Sequence, residues 1–418
     1  MYYVALLLTL MWGLSYLLVK KNLCSGRIYF YILFAMSIPS FFEPNFLNKF
    51  IEGPIDYTNI FILGFLLLLG FIPWYYFDKH YGHQIHIEIN QGYITNIKVI
   101  FLITIIGSLF SILYLSPYAI RGIVTGALDM REYIQEESPL PKTFATTIAV
   151  GFANIHIFAI LFFYISYLSD ELKRYRILLF ISSFSYIISC MAITARDGLI
   201  ILPLFYVIFY LIFRSSISSI NKTRIKIALF SIAVIIIIFM TSFTLSRFWG
   251  QEQDTEFLQE GTIGYIAQQP YVFNVTVQDQ TDFHGWELRF PLINRLIGVG
   301  EHEVYRLDTW YETCFGTMYA DFYNIGGWYP VIGVLLVFIL YYWWALSLCH
   351  RNDKPFGMLL IFTVYLYIAL TGMFYCRAGS AVSMNIFYIA ISILPLFIGN
   401  YININTPHVN NRYPNYKV

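Results

Sequence analysis

Charged residues are scarce in this chain of 418 residues: 12% are charged, 58% are hydrophobic, and the mean hydropathy is +0.61. Soluble domains carry about 25% charged residues, so this composition excludes a cytosolic enzyme and a disordered protein. An excess of positive charge is also missing, because 26 Lys and Arg stand against 25 Asp and Glu. Nucleic-acid-binding proteins usually carry an excess of positive charge that attracts phosphates, so this chain is not expected to bind nucleic acid. The composition therefore predicts a polytopic membrane protein.

Cysteine is rare and follows no recognisable pattern. The five cysteines, an odd number, are scattered as Cys24, Cys190, Cys314, Cys349 and Cys376. Neither a disulfide framework nor a zinc-binding spacing is present. The sequence also lacks a glycine-rich phosphate loop and a metal-carboxylate motif, so we expect no cofactor and no metal. His80, His83 and His86 could bind a metal, but a solvated strand or turn is the favoured interpretation.

Eleven apolar segments approach the roughly 17–25 residues that a helix needs to cross a bilayer. They are 3–19, 28–42, 60–77, 99–116, 144–168, 177–194, 199–213, 227–243, 327–348, 357–375 and 384–399. The segments at 28–42, 199–213 and 384–399 are short, and we expect them to be tilted, broken or partly re-entrant. The predicted fold is an all-α polytopic membrane protein with about eleven transmembrane helices.

Lysine and arginine set the predicted orientation, because they favour cytoplasmic loops. One set of alternate loops carries 16 of these residues, and the other carries 10, mostly in long loops where the rule is weak. The first set is therefore expected in the cytoplasm, with the N-terminus periplasmic and the C-terminus cytoplasmic. The predicted organisation is eight helices over 1–243, a large periplasmic loop over 244–326, three helices over 327–399 and a cytoplasmic tail over 400–418.

Two predicted external connections exceed about 12–15 residues, a length typical of functional or disordered segments. In 117–143, apolar residues recur every three or four positions, with Arg121 and Arg131 on or beside the other face. This pattern predicts an amphipathic helix lying at the membrane interface. Its arginines either contact lipid phosphates or bind substrate, and both interpretations stay open.

The second long connection, 244–326, concentrates acidic and aromatic residues. It holds 12 of the 25 acids, interleaved with aromatic side chains that include Trp310, Tyr311 and Tyr319. Aromatic rings stack on apolar sugar faces, and carboxylates accept hydrogen bonds from hydroxyls, so this mixture suits a sugar site. The alternative is a solvated domain with aromatic residues at the membrane rim.

The interiors of the predicted spans contain no Lys, Arg, Asp or Glu. Asn154 and His156 are the polar exceptions. Ion-coupled transporters usually need intramembrane carboxylates or histidines, so this absence counts against an ion-driven carrier. We expect His156 to be a hydrogen-bonded packing residue rather than part of a proton relay.

Arginines gather instead at the predicted external ends of the spans. Arg196 and Asp197 lie in one tight turn and Arg377 in another, while the long loop contributes Arg289, Arg295 and Arg306. An arginine close to the bilayer costs free energy unless it has an anionic partner, and a lipid-linked pyrophosphate is one. Guanidinium groups match its oxygens bidentately and would stabilise it as a leaving group. The alternative is an ion pair with Asp197 and contacts with headgroups.

Three local patterns carry a family resemblance. Arg196-Asp197-Gly198 opens an apolar span with an Arg-x-Gly turn, and Arg289 precedes Gly300 in an Arg-x10-Gly pattern. The stretch 308–327 contains Asp321-Phe322-Tyr323 before the next span, although in the family Gly often follows the Phe. With the topology, these patterns resemble the O-antigen polymerases, the Wzy-type oligosaccharide repeat-unit polymerases of bacterial inner membranes.

The resemblance implies a GT-C-like integral membrane glycosyltransferase without a cofactor. It would move the growing glycan from undecaprenyl pyrophosphate onto a fresh lipid-linked repeat unit at the periplasmic face. The implied partners are the lipid-linked donor and acceptor, membrane lipids and a chain-length regulator, and no nucleic acid. The expected catalytic residues are Arg196, Arg289, Arg377, Glu301, His302 and Asp308. The expected substrate-binding residues are Arg121, Arg131, Asp197, Arg295, Arg306, Trp310, Tyr311, Tyr319 and Asp321.

Two other functions stay open. An O-antigen ligase shares the topology and has a histidine in its long external loop, so His302 would be its base. A lipid-linked glycan flippase or other transporter would need a charged central cavity, which the predicted spans lack.

Overall fold

The computed structural model describes residues 2–41, 55–81, 86–125, 140–141, 143–193, 197–248, 267–280, 283, 285, 316–376, 382–398 and 400–405. Within these ranges almost every element is an α-helix, because apolar runs placed in lipid can satisfy their backbone hydrogen bonds only internally. One contiguous core of Leu, Ile, Phe and Tyr side chains joins most of the helices. The chain is thus a multi-pass helical membrane protein.

The helices follow one another along the chain with short connections in most places. The first nine are α1 (Tyr2–Val19), α2 (Arg27–Ser37), α3 (Tyr57–Gly70), α4 (Ile72–Tyr81), α5 (Ile94–Thr125), α6 (Phe144–Ala153), α7 (His156–Ile165), α8 (Arg176–Ser182) and α9 (Ser185–Ala192). The others described are α10 (Asp197–Phe213), α11 (Ser219–Phe248), α12 (Gln269–Asp279), α13 (Thr317–Gly326), α14 (Trp328–Arg351), α15 (Pro355–Gly372) and α16 (Val382–Ile393). Short 3-10 turns extend several of them.

Local sequence explains where several helices begin. Asp56 caps α3, since its side chain accepts a hydrogen bond from the backbone N–H of Thr58 at 2.8 Å. Thr143 caps α6 in the same way, and Pro355 occupies the first position of α15, where no N–H is required.

Among the described residues, six helical segments are long and apolar enough to cross a membrane. They are Tyr2–Asn22, Tyr57–Tyr81, Gln91–Arg121, Asp170–Ala192, Trp328–Arg351 and Pro355–Gly372. The pair α6 and α7, bent by 43°, makes a seventh if it is one span. The prediction of a multi-pass helical protein is confirmed, whereas the number eleven is not. Arg27–Ser37 and Gly198–Phe213 are apolar helices of shorter length, as expected for two of the short segments.

Polar side chains interrupt two predicted spans. At the break between α6 and α7, the Nδ2 of Asn154 donates to the carbonyl oxygen of Val150 at 2.7 Å. At the break between α8 and α9, the hydroxyl of Ser183 donates to the carbonyl oxygen of Phe180 at 2.6 Å. Asn and Ser compete with the backbone for hydrogen bonds in this way, so a helix often ends or bends beside them.

The loops richest in lysine and arginine meet at one end of the bundle, which we call the basic end. The Tyr81 hydroxyl bonds to Nδ1 of His350, and the side chain of Lys98 forms an ion pair with Glu171. The described basic residues of these loops are Lys20, Lys21, Arg27, Lys79, Lys98, Lys173, Arg174, Arg176, Arg214, Lys222, Arg224, Lys226, Arg351 and Lys354.

A buried carboxylate holds the basic end together. Asp78 in α4 is 1% exposed and accepts hydrogen bonds from the backbone N–H groups of Cys24 and Gly26, at 2.8 and 2.7 Å. The hydroxyl of Ser25 donates to the same carboxylate at 2.9 Å and accepts from the indole N–H of Trp74. Asp78 thus satisfies the backbone just before α2. It lies one position beyond the predicted span 60–77, and the sequence patterns do not single it out.

A two-stranded ribbon departs from the all-α prediction. β1 (His86–Ile89) pairs antiparallel with β2 (Ile402–Asn405), with Ile89 opposite Ile402. The hydroxyl of Ser216 accepts from the backbone N–H of Ile87 at 2.8 Å. The start of the predicted tail is therefore part of the folded basic end, a contact between distant segments that no local pattern predicts.

Both predicted external segments differ from simple connections. The helix α5 continues past Pro117 to Thr125, so the first part of 117–143 extends a span instead of forming a separate interfacial helix. In 244–326, α11 runs on to Phe248, while α12 and α13 pack against the bundle with most of their side chains buried.

Candidate functional site at the turn end

The end opposite the basic end is where α9 and α15 finish and where α10, α13 and α16 begin, and we call it the turn end. Here α10 starts tight against α9. A Cβ on Gly198 would lie 3.0 Å from the Sγ of Cys190 and 3.2 Å from the ring of Tyr186, so packing favours glycine at this position. Arg196 lies outside the described residues. Of Asp197 only the backbone is described, as the first residue of α10.

A histidine and four aromatic rings are buried within the bundle beside the start of α10. His156 stacks on Tyr186, with ring centroids 4.2 Å apart. Tyr367 lies 5.9 Å from His156 and 6.1 Å from Phe205, measured between centroids. Tyr367 also stacks on Tyr388 at 5.2 Å. These five side chains, called the histidine cluster, come from α7, α9, α10, α15 and α16.

His156 follows directly after the break between α6 and α7. Its side chain is fully buried, and its Nδ1 lies 3.2 Å from the carbonyl oxygen of Ala153. A carbonyl only accepts, so Nδ1 carries the proton in this hydrogen bond. The bond and the stack on Tyr186 are the contacts expected of a packing residue.

The helices on either side of 194–196 and of 377–381 contribute side chains to the histidine cluster. Tyr186 lies in the first turn of α9, the helix that precedes 194–196, and Tyr367 lies five residues before the end of α15, the helix that precedes 377–381. Their ring centroids are 6.5 Å apart. The helices that lead into the two turns are therefore neighbours within the bundle.

The helix α13 fixes the chain that leads into the second turn. The backbone N–H of Thr317 donates to the carbonyl oxygen of Phe374 at 3.0 Å. The carboxylate of Asp321 accepts from the backbone N–H of Cys376 at 2.5 Å. Arg377 follows at the next position, outside the described residues. Asp321 thus positions the backbone that carries this arginine.

Backbone strain is present at the start of α13. Thr317 has a φ of 79°, in the left-handed region that β-branched residues avoid. Such a conformation costs about 1–3 kcal/mol and persists only where its surroundings determine it. One such constraint is close packing, since a Cβ on Gly372 would lie 2.5 Å from the sulfur of Met318. Strain of this kind often marks a functional site.

A polar helix, α12, completes the turn end. The side-chain oxygen of Asn274 accepts from the backbone N–H of Asp56 at 3.0 Å and lies 3.5 Å from Nδ2 of Asn59. Gln269 and Thr276 are also buried. This part of the predicted periplasmic loop therefore packs against the beginning of α3. The available signal was that 261–278 contains no charged residue within an otherwise acidic region.

Three predicted substrate-binding residues have described side chains. Tyr319 is buried, and its hydroxyl donates to the carbonyl oxygen of Leu66 at 3.0 Å. Burial raises the pKa of Tyr319 well above its usual value, so the hydroxyl keeps its proton. The carboxylate of Asp321 accepts a hydrogen bond from the backbone N–H of Cys376, and Arg121 is exposed on α5. The structure therefore gives Tyr319 and Asp321 contacts within the bundle.

The remaining predicted residues lie outside the described residues. They are Arg131, Arg196, Arg289, Arg295, Glu301, His302, Arg306, Asp308, Trp310, Tyr311 and Arg377.

Metal-ligating side chains do not converge in the described part of the chain. No group of three His, Cys, Asp or Glu residues there could hold an ion. Two of the three histidines of the 80–86 segment have different neighbours. The ring centroid of His80 lies 5.3 Å from that of His350. His86 on β1 instead lies 3.1 Å from the carboxylate of Glu88. His83 is not among the described residues.

The fold defines the class, a multi-pass helical membrane protein with a polar, aromatic site under the turn end. No protein-family model, no curated protein and no solved structure matches this chain. Its function must therefore be inferred from its own residues.

Proposed function

We propose that this chain is an O-antigen polymerase of the bacterial inner membrane. It would transfer the growing glycan from undecaprenyl pyrophosphate onto a lipid-linked acceptor unit, and a chain-length regulator would be its protein partner. In this proposal the chain has about eleven spans, with a periplasmic N-terminus and a cytoplasmic C-terminus. The turn end faces the periplasm, and the basic end faces the cytoplasm.

One observation carries the proposal: the helices on either side of Arg196 and of Arg377, α9 with α10 and α15 with α16, pack together in the histidine cluster. Asp321 additionally fixes Cys376, beside the second arginine. Two guanidinium groups at one end of a membrane bundle suit a departing diphosphate, whose charge increases as the sugar–phosphate bond breaks.

The charge distribution supports the orientation. The described Lys and Arg of alternate loops lie together at the basic end, joined by contacts such as those of Asp78 and Tyr81. Basic residues concentrate on the cytoplasmic side of membrane proteins. The turn end is then periplasmic, which is the side where polymerisation of exported lipid-linked units takes place.

The reaction would form one glycosidic bond and break one sugar–phosphate bond. An acceptor hydroxyl attacks the anomeric carbon of the donor glycan, and the electron pair of the breaking bond moves to the pyrophosphate. Arg196, Arg289 and Arg377 would stabilise that leaving group. Among the predicted residues, Glu301, His302 or Asp308 would accept the proton of the attacking hydroxyl.

The decisive experiment is Arg196→Ala in a strain whose surface glycan is resolved on a gel. We expect the polymer ladder to disappear while single repeat units still reach lipid A-core, because the leaving group loses a partner that a neutral side chain cannot replace. The matched control is Arg174→Ala, an exposed arginine of the basic end, which should keep the ladder. Membrane abundance of both variants is measured by immunoblot.

Each alternative has its own outcome in the same assay. Full-length polymer from a normally abundant Arg196→Ala protein would contradict the proposal. If deletion of the gene removes all surface O-antigen while lipid-linked polymer accumulates, the protein is a ligase. If unpolymerised lipid-linked units accumulate on the cytoplasmic face, it is a flippase.

A further inference from the structure

A lateral groove of about 270 Å³ lies near the basic end between α7, α8, α10 and α11. Its walls are apolar and include Phe163, Phe180 and Leu229. The groove opens toward the outside of the bundle, because Ile177 on its edge is 72% exposed and Ala228 is also exposed. An apolar groove facing outward from a membrane protein meets lipid chains.

Two arginines, Arg176 and Arg224, line the part of the groove nearest the basic end. Arg176 is held in place: its Nη2 donates to the carbonyl oxygen of Ser166 at 3.1 Å, and its guanidinium carbon lies 3.6 Å from the ring centroid of Tyr167. Burial raises the pKa of Tyr167, and Arg176 and Arg224 counteract part of that rise, so both guanidiniums lie near this ring. Arg224 projects from α11 and makes no hydrogen bond or ion pair with the other described residues.

The surroundings of the groove are positively charged. Asp170, which is exposed, is the acid close enough to affect Arg176. Glu171 is already paired with Lys98. The basic residues described in the same loops are Lys173, Arg174, Arg214, Lys222 and Lys226. This balance favours an anionic occupant.

We propose that the groove binds one anionic phospholipid of the surrounding leaflet. Its phosphate lies between Arg176 and Arg224, and part of one acyl chain lies against Phe163 and Phe180. The volume is sufficient, since a cavity of about 150 Å³ already accepts a benzene ring. Basic pockets between transmembrane helices are a common site for anionic headgroups.

The groove lies beside α11, a helix with few contacts to the rest of the bundle. The helix α11 packs mainly against α10, and its other faces expose large apolar side chains such as Ile227 and Phe230. A lipid in the groove would connect α11 to α8 through its phosphate and its chain. The proposal is independent of the polymerase assignment, because the groove lies away from the turn end.

Native mass spectrometry of the full-length protein in a non-ionic detergent tests the proposal. Phosphatidylglycerol and phosphatidylcholine with identical acyl chains are added separately, and retained lipid is counted. We expect one phosphatidylglycerol to be retained with a preference of roughly 30-fold, since each of the two arginines contributes about fivefold near a membrane surface. Arg224→Gln should lower this preference by about fivefold.

Further variants separate binding from misfolding. Arg176→Gln could disturb the contact with Ser166, so Ala228→Phe, which fills the groove from an exposed position, serves as the second test and should reduce retention of phosphatidylglycerol. Lys226→Gln is the matched control, because this exposed lysine of α11 does not line the groove. It should retain the lipid as the wild-type protein does.

Three results would overturn the proposal. The first is equal retention of the two phospholipids by the wild-type protein. The second is an unchanged preference in both Arg224→Gln and Ala228→Phe. The third is retention of an added polyprenyl phosphate without retention of phosphatidylglycerol, which would assign the groove to a different lipid.

Discussion

At the basic end, buried polar groups hold the chain together, whereas at the turn end they lie among the helices that lead into the segments of Arg196 and Arg377. The carboxylate of Asp78 accepts three hydrogen bonds from residues before α2. At the turn end, His156 and Tyr367 share a buried cluster, and Thr317 is strained. Under the proposed function, the basic end provides stability and the turn end holds the groups that act on the substrate.

The largest effect is expected at the basic end, from Asp78→Ala. This change leaves three donors near α2 without their acceptor, and each buried unsatisfied donor costs about 1–3 kcal/mol. We expect a loss of at least about 3 kcal/mol, measured as a lower melting temperature in detergent and lower membrane abundance. Asp170→Ala, an exposed acid, is the control and should melt like the wild type. An unchanged melting temperature for Asp78→Ala would contradict the stabilising role that we assign to the buried polar groups of the basic end.

An intermediate effect, on activity more than stability, is expected from Asp321→Ala. The variant releases the backbone at Cys376, next to Arg377, and a displacement of about 1 Å in a site can lower a rate about 100-fold. Polymer length and yield on a glycan gel should fall strongly while the protein stays abundant. The exposed Asp279, changed to Ala, is the matched control. If both variants polymerise normally, Asp321 has no positioning role.

The smallest effect is expected from His156→Phe. Phenylalanine can keep the stack on Tyr186 but loses the hydrogen bond to Ala153, so the expected cost is about 1 kcal/mol. The polymer ladder should be unchanged, while His156→Ala should lower the melting temperature further because it leaves a cavity. Loss of polymer in a stable His156→Phe protein would show that the histidine takes part in the reaction.

Long apolar runs made most of the helices predictable. The helices α14 and α15 begin and end within a few residues of the predicted segments, because apolar length dominates there. The breaks after Asn154 and Ser183 were not predictable, since one polar residue barely alters the hydropathy of a long segment. Pro117 indicates the end of a helix by its residue type, yet α5 continues through it.

Contacts between distant segments could not be predicted from local patterns. Asp78 lies far along the chain from Cys24, and β1 lies far from β2, so neither contact leaves a periodic signal. In the candidate site, the sequence alone was enough to single out Arg196 and Arg377 as candidate residues, because arginine beside an apolar span is unusual. The burial of Tyr319 was not, because it depends on how α13 packs against α3.

The bonds of Asp78 also constrain how this protein enters its membrane. With 11 residues, α2 is shorter than the roughly 17 that allow a helix to cross unaided. The amides of Cys24 and Gly26 find their acceptor only once α4 has left the ribosome. We therefore expect insertion of α2 to wait for synthesis of α4, and the two to leave the translocon together. A nascent chain truncated before residue 78 should keep α2 at the membrane surface, where added protease can cut it.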